Sequence, residues 1–213
     1  MDHLGPLPVS GGKQHVIVLI DGLTKVVVLE AVKTTDSKSV IRFLEKTFLN
    51  YGNPERLVSD RGTAFTSRKF ETFLQQKGIA HSLISTQFPQ SNGVTERANK
   101  EVARLLRTLS EKADKSDWAL KVPIAQAMLN RTVARGTGKA PFEALHGYLP
   151  RVDNFSQVIE GLQESLWKPA ETIREEIRKE IEKTQEECRN LGASQRSTLS
   201  IRNTTRNWRS RPK

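Results

Sequence analysis

Two acidic residues carry the clearest chemical signal in the sequence. Asp60 follows the short apolar run 57–59 and precedes a turn at Gly62, so we expect it at the end of a buried strand. Glu96 lies in a predicted helix, and 35 residues, positions 61–95, separate the two acids. Carboxylates are the ligands that Mg²⁺ prefers, so this pair could belong to a site for divalent cations.

The helix that carries Glu96 is predicted to run from about Val94 to Lys112, after a polar loop over 85–93. One face is apolar, with Val94, Ala98, Val102, Leu105 and Leu109. The other face is basic, with Arg97, Lys100, Arg104 and Arg107. Glu96 lies at the edge of the basic face. The helix alone favours an ordinary surface ion pair between Glu96 and Lys100. An acid beside such a face could also hold a cation while its neighbours bind phosphates.

Three linked blocks favour the metal site. They are SDRGTAF at 59–65, PQSNGVTER at 89–97 and the flanking NYGNPERLVSD at 50–60. In this order and spacing they resemble the D,D(35)E core of retroviral and long-terminal-repeat retrotransposon integrases, with the gypsy type as the closest match.

The first residues, MDHLGPLPVSGG at 1–12, resemble the first-strand block of the same family, and Asp2 then matches the first catalytic acid. Without the resemblance, Asp2 would be interpreted as a disordered acid beside the start methionine. Asp21 is the rival acid, but its Asp-Gly hairpin signal explains it sufficiently.

The resemblance implies that Asp2, Asp60 and Glu96 are catalytic and hold two Mg²⁺ ions, for which Mn²⁺ can substitute. It implies cleavage of element DNA ends, then attack of the freed 3′ hydroxyl on target DNA. The implied partners are double-stranded DNA, both element ends and target, and further copies of the chain. The implied localisation is the nucleus, with a cytoplasmic particle stage. The nucleic-acid-binding residues predicted from the resemblance and the basic face are Asn92, Asn99, Lys100, Arg97 and Arg104.

An alternative remains open, in which the chain is a catalytically inactive remnant that binds nucleic acid or oligomerises. Only Met1 precedes Asp2, and the single cysteine, Cys188, excludes a zinc module of the paired His and Cys type within this chain. The C-terminal barrel of the family is also expected to be missing. The presence of all three acids favours the enzyme.

The order of elements predicts an α/β fold. It matches the ribonuclease-H-like fold that the resemblance also implies: a mixed five-stranded sheet flanked by helices, followed by a C-terminal amphipathic helix. Beyond a first strand at Asp2, the predicted strands are 15–20, 25–32, a strand before Asp60, and 79–84. The predicted helices are 36–51, 67–77, 94–112 and 118–133.

Composition and charge limit the kinds of partner and domain that the chain can have. An apolar fraction of 36% supports a core, and a net charge of +10 indicates a polyanionic partner. The sequence contains no run of about eighteen apolar residues, so it predicts no membrane span. We expect an integrase catalytic core over 1–151 and a helical extension over 152–192, with its helix at 169–191. The basic tail over 193–213 should be disordered, either binding phosphates or simply solvated.

Overall fold

The computed structural model describes residues 1–83, 89–134, 136–150, 171–187 and 189, with backbone alone for 89–95. It forms two compact units, Met1–Thr132 and Val133–Lys213. The first unit carries every catalytic residue predicted above. The predicted end of the core at residue 151 stays a prediction, as does the basic tail, which lies outside the described residues.

Five strands form two sheets. The first sheet is antiparallel and contains β1 (Asp2–Leu4), β2 (His15–Ile20) and β3 (Val27–Val32). The second pairs β4 (Arg56–Ser59) with β5 (Ala80–Leu83) in parallel. The hairpin predicted between β2 and β3 is present, and the Asp21 carboxylate accepts hydrogen bonds from Thr24 N and Thr24 Oγ1, both 2.7 Å. Asp21 therefore serves the turn.

The expected single five-stranded sheet is corrected to these two sheets among the described residues. The sheets approach each other at the Met1 ammonium, which donates a 2.6 Å hydrogen bond to the carbonyl of Val58. All three residues of β1 pair with β2, and no ladder joins β1 to β4 within the described residues. The α/β class and the number and order of the strands agree with the prediction.

The helices are α1 (Ser37–Tyr51), α2 (Arg68–Gln76), α3 (Pro89–Leu109), α4 (Trp118–Arg131) and α5 (Pro141–His146). Asp36 caps α1 by accepting from Ser39 N, and Ser67 caps α2 by accepting from Phe70 N. The predicted start of α3 at Val94 is wrong. Proline fixes a backbone angle that suits the first turn of a helix, and α3 begins at Pro89 inside the expected loop.

The alternation of β2 divides the core of the first unit into two layers. Ile17 points into a layer with Phe43 of α1 and Phe70 of α2. The neighbouring Val16 and Val18 point into the opposite layer. That second layer contains residues of α3 and α4, including Val102, Leu106, Trp118 and Val122. Helices therefore pack on both faces of the antiparallel sheet, as the prediction required.

Two amide side chains of α4 cover the free edge of β3. Asn130 Oδ1 accepts from Val27 N and its Nδ2 donates to Val27 O, each at 2.8 Å. Gln126 Oε1 accepts from Leu29 N at 2.7 Å. These hydrogen bonds replace those that another strand would supply. They satisfy backbone groups of β3 at an edge of the sheet where no further strand pairs within the described residues.

The second unit contains α5 and a helical segment at 171–187. Ile173 and Ile177 of that segment are buried. The ammonium of Lys139 lies 3.3 Å from Oε1 of Glu143 and 3.9 Å from Oε2 of Glu176. Both ends of the amphipathic helix predicted over 169–191 lie outside the described residues. Among the described helices, none is both long and apolar enough to cross a membrane.

Candidate active site

Asp2 lies in β1, opposite Val18 of β2, and its carboxylate links two distant parts of the chain. Its Oδ1 accepts from His3 N at 2.7 Å. Its Oδ2 accepts from Nδ2 of Asn99 in α3 at 2.6 Å, across 97 positions of sequence. The strand and the helix therefore meet at the carboxylate that the sequence predicts to be the first catalytic acid.

Asp60 directly follows β4 and is exposed, as the strand-end prediction requires. Its Oδ1 accepts from Gly62 N at 3.0 Å. A Cβ atom at position 62 would lie 3.1 Å from that same oxygen, closer than side chains normally allow. Glycine at this position therefore lets the turn close against the carboxylate.

Asp2 and Asp60 lie near the contact between the two sheets, where the ammonium of Met1, next to Asp2, donates to the carbonyl of Val58, two residues before Asp60. Burial lowers the pKa of the Met1 amine to about 6, while the carboxylates of Asp2 and Asp60 both act to raise it. The pKa of His3 is also lowered, chiefly by burial, against the opposing effect of the same two carboxylates. The structure thus brings the chain segments that carry two of the three predicted acids near each other, and their role as metal ligands stays a prediction.

Glu96 is exposed on α3, three residues before Asn99. At about 100° per residue, the two positions are about 60° apart around the helix axis, so both lie on one side of it. The hydrogen bond from Asn99 therefore brings the Glu96 side of α3 towards Asp2. Across the part of the chain that the structure describes, no three His, Cys, Asp or Glu side chains form a metal-binding group. The complete triad stays a prediction.

The donor set fits a hard divalent cation in its chemistry. Asp2 and Asp60 offer carboxylate oxygens near the contact between the two sheets, and such oxygens are the preferred ligands of Mg²⁺. The Oδ1 atom of Asn99 beside Asp2 is buried and has no hydrogen-bond partner among the residues whose side chains are described. A buried acceptor of this kind is normally satisfied by a polar partner such as a water molecule.

The predicted nucleic-acid-binding residues all lie on α3. Arg97, Lys100 and Arg104 are exposed, whereas the side chain of Asn92 lies outside the described residues. Arg104 binds the carboxylate of Glu101 at 2.5 Å, and this hydrogen bond raises the pKa of Arg104. Glu101 therefore competes with a phosphate for Arg104, an interaction that the prediction of a basic face omitted.

Three polar contacts near the acids were not predicted from the sequence. The Asn99–Asp2 bond gives Asn99 a role beyond DNA contact. Ser59, directly before Asp60, contacts His81 of β5, and His81 also contacts Glu71 of α2. The order Ser-Asp at a predicted strand end placed Ser59 near the site. Nothing in the sequence pattern pairs it with His81.

Comparison with known proteins gives one consistent family. A family model described as "Integrase core domain" matches residues 1–89. The Pro-Pol polyprotein of Simian foamy virus type 1 is 33% identical over 147 residues, which are 69% of this chain and 13% of that polyprotein. The Transposon Tf2-3 polyprotein of Schizosaccharomyces pombe is 25% identical over 184 residues, which are 83% of this chain and 14% of the polyprotein. The chain thus spans a small part of these relatives.

Solved structures share the fold. One is a simian T-cell lymphotropic virus intasome in complex with PP2A regulatory subunit B56 gamma, with a TM-score of 0.59 and 19% identity, covering 72% of this chain and 58% of that one. Another is the HTLV-2 integrase catalytic core domain in complex with magnesium, with a TM-score of 0.53 and 23% identity, covering 62% of this chain and 84% of that one. With the family match and the polyprotein relatives, the chain belongs to the integrase core family of retroviruses and long-terminal-repeat retrotransposons.

Proposed function

We propose that this chain is a retrotransposon integrase core that cleaves the ends of element DNA and joins them to host DNA. One observation carries the proposal: the residue before Asp2 is hydrogen-bonded to Val58, two residues before Asp60, and α3, the helix of Glu96, is attached to Asp2 through Asn99. Two carboxylates on strand ends and a third on a neighbouring helix are a ligand arrangement suited to phosphodiester chemistry.

Asp2, Asp60 and Glu96 are the residues that would hold Mg²⁺, two ions by family resemblance, with Mn²⁺ as a substitute. When bound, divalent cations polarise the phosphate and stabilise the charge that develops on its oxygens. The HTLV-2 core is described in complex with magnesium, which supports the same class of cation here.

The polar groups of the chain orient these acids and bind the nucleic acid. Asn99 fixes the rotamer of Asp2 through its 2.6 Å hydrogen bond, and the Gly62 amide does the same for Asp60 at 3.0 Å. Lys100 is exposed one residue beyond Asn99, so its ammonium is available for a DNA phosphate beside the acids. Arg97 and Arg104 extend the same basic helix, and Asn92 belongs to this set by resemblance.

The proposed partners are double-stranded DNA and further copies of the chain. The HTLV-2 core is described in dimeric and trimeric forms, and α4 carries an apolar stripe that a second copy could cover. Leu120, Ile124 and Met128 are 79%, 48% and 43% exposed and recur every four residues. The proposed localisation is the nucleus, where host DNA lies, after a cytoplasmic particle stage.

The alternative function is nucleic-acid binding or oligomerisation without catalysis. It is favoured by one observation, that no three possible ligands form a metal-binding group within the described residues. The two functions share the basic α3 and the apolar stripe of α4, so only catalysis distinguishes them.

A DNA-cleavage and disintegration assay on the full 213-residue chain, with Mg²⁺ or Mn²⁺, tests the enzyme. We expect cation-dependent cleavage by the wild type and background cleavage by Asp60→Asn and Glu96→Gln. Glu45→Gln is the matched control, because Glu45 is exposed on α1. Equal activity of wild type and Glu96→Gln would leave the non-catalytic function as the better account.

A further inference from the structure

A chain of three side chains runs beneath the Asp60 turn. Glu71 Oε1 and His81 Nδ1 are 2.9 Å apart, and His81 Nε2 and Ser59 Oγ are also 2.9 Å apart. Ser59 Oγ then donates to the backbone carbonyl of Asp60 at 3.1 Å. The chain connects α2, β5 and β4, and it ends on the main chain of the residue that the proposed function assigns to metal binding.

The backbone carbonyl at the end of the chain fixes the position of one hydrogen. The carbonyl of Asp60 can only accept, so that contact uses the single hydroxyl hydrogen of Ser59. Both ring nitrogens of His81 are in hydrogen-bond contact, Nε2 with Ser59 Oγ and Nδ1 with Glu71 Oε1. The Glu71 carboxylate thus orients His81, and His81 orients the Ser59 hydroxyl towards Asp60.

Burial separates this arrangement from a nucleophilic triad. Ser59 is 0% exposed and the His81 side chain is 6% exposed, so no substrate reaches the hydroxyl. A buried and fully connected polar chain instead fixes the geometry of the groups at its ends. Here one end is an α2 carboxylate that is partly exposed, and the other is the turn that presents Asp60.

Packed rings connect the same chain to the strand of Asp2. Phe70 lies edge-on to His81, with ring centroids 5.3 Å apart, and also contacts Phe65 at 5.7 Å. Phe65 stacks on His3 at 4.9 Å, directly beside Asp2. Both phenylalanines are fully buried. One rigid cluster therefore supports the backbone of Asp60 on one side and that of Asp2 on the other.

We infer that His81 and Glu71 are positioning residues, which hold the Asp60 turn through Ser59 in the geometry needed for a divalent cation. This inference rests on the proposed function for its cation. It assigns to α2 and β5 a role beyond packing, since the 2.9 Å contacts of His81 with Ser59 and Glu71 add to the backbone ladder that already pairs β4 with β5.

The test compares two substitutions of His81 that separate hydrogen bonding from packing. His81→Phe keeps a ring beside Phe70 and loses both hydrogen bonds, whereas His81→Gln loses the ring and keeps an amide that can reach Ser59. With Mn²⁺ alone as the probe, followed by electron paramagnetic resonance, we expect His81→Phe to bind about 10-fold more weakly than wild type. His81→Gln should bind Mn²⁺ within about threefold of wild type, because the glutamine amide partly replaces the hydrogen bond of His81 with Ser59.

The second readout needs no cation. In amide spectra of the metal-free chain, His81→Phe and Ser59→Ala should shift the Gly62 resonance and speed its hydrogen exchange, since the Gly62 amide reports the Asp60 turn. Ser59→Ala removes the contacts of the hydroxyl with Asp60 and with His81, and it guards against a His81 variant that fails to fold. Ser82→Ala on β5 is its matched control and should leave Gly62 unchanged.

The outcomes separate the two claims. If Asp60→Asn binds Mn²⁺ as wild type does, the proposed cation site fails, and the Gly62 comparison alone decides the positioning role. The positioning inference is overturned if His81→Phe binds Mn²⁺ as well as His81→Gln, or if Gly62 is unaffected by both His81→Phe and Ser59→Ala.

Discussion

The Asn99 amide donates a 2.6 Å hydrogen bond to Oδ2 of Asp2, and so joins α3 to β1 at the proposed catalytic end of the sheet. The bond is partly buried, and the Oδ1 oxygen of the same amide has no partner among the described side chains. Because α3 also carries Glu96 and the basic residues, its placement against Asp2 sets where the third acid and the DNA contacts lie.

Asn99→Ala should reduce cation-dependent DNA cleavage by about 10- to 100-fold, because it removes the group that orients Asp2. Its cost in the free energy of unfolding should be about 1 kcal/mol, the usual net contribution of a hydrogen bond. Cleavage rates and urea denaturation measure the two effects. Asn50→Ala, at an exposed position of α1, should change neither. Wild-type cleavage by Asn99→Ala would exclude an orienting role.

Lys100→Ala should weaken DNA binding to a similar extent on all sequences and reduce the salt slope by about one. The reason is that Lys100 is exposed beside the acids, where a phosphate contact carries no sequence information. Fluorescence anisotropy over a range of salt concentrations measures the slope. Lys77→Ala, exposed at the end of α2, is the control. An unchanged slope for Lys100→Ala would remove this residue from the interface.

Ile124→Lys should shift the chain towards monomers, because it places a charge in the centre of the exposed stripe on α4. Since the side chain is half exposed, the free energy of unfolding should change by only about 0.5 kcal/mol. Analytical ultracentrifugation measures the assembly state. Val9→Lys changes another exposed apolar residue and should leave the assembly intact. If both variants sediment like wild type, the stripe is not the contact.

Asn130→Ala should cost about 2–4 kcal/mol in the free energy of unfolding, because Val27 N–H and C=O both lose their buried partner. Urea denaturation measures the loss. Asn53→Ala, at an exposed loop position, should differ from wild type by about 0.5 kcal/mol or less. A similarly small effect at Asn130 would mean that water replaces the amide at this sheet edge.

Asp36 should make stability depend on pH in the acid range. A hydrogen bond from Thr34, then that from Ser39 N, lowers the pKa of Asp36 from 3.8 to about 2. A lowered pKa stabilises the folded state above pH 3.8, and this contribution is lost as the pH falls towards 2. The cap is exposed, so its contribution should be about 1 kcal/mol or less.

Asp36→Ser retains a capping oxygen that does not titrate. We therefore expect wild type to lose more stability than Asp36→Ser between pH 4 and pH 2, as measured by urea midpoints at each pH, while Asp36→Ala should be destabilised at neutral pH. Parallel pH curves for wild type and Asp36→Ser would show that the carboxylate does not contribute through its charge.

The sequence by itself determined the local elements and the family. The apolar run 15–20 predicted β2, the helices predicted over 36–51 and 67–77 correspond to α1 and α2, and the sequence blocks around the acids resembled an integrase core, a family that a match over 1–89 supports. These features depend on residues close together in the chain, whose capping and periodicity follow from local backbone geometry. The start of α3 was misjudged because Ser91, Asn92 and Gly93 locally favour a turn, whereas the helix in the structure begins before them at Pro89.

Only the tertiary structure decided which side chains meet. The partnership of Asn99 with Asp2, the chain from Glu71 through His81 to Ser59, and the cover of Val27 by Asn130 join positions that no sequence period connects. The division into two sheets likewise depends on how the ends of β1 and β4 approach each other. Long-range hydrogen bonds require the strands and helices to pack first, so their partners are set by packing rather than by spacing along the chain.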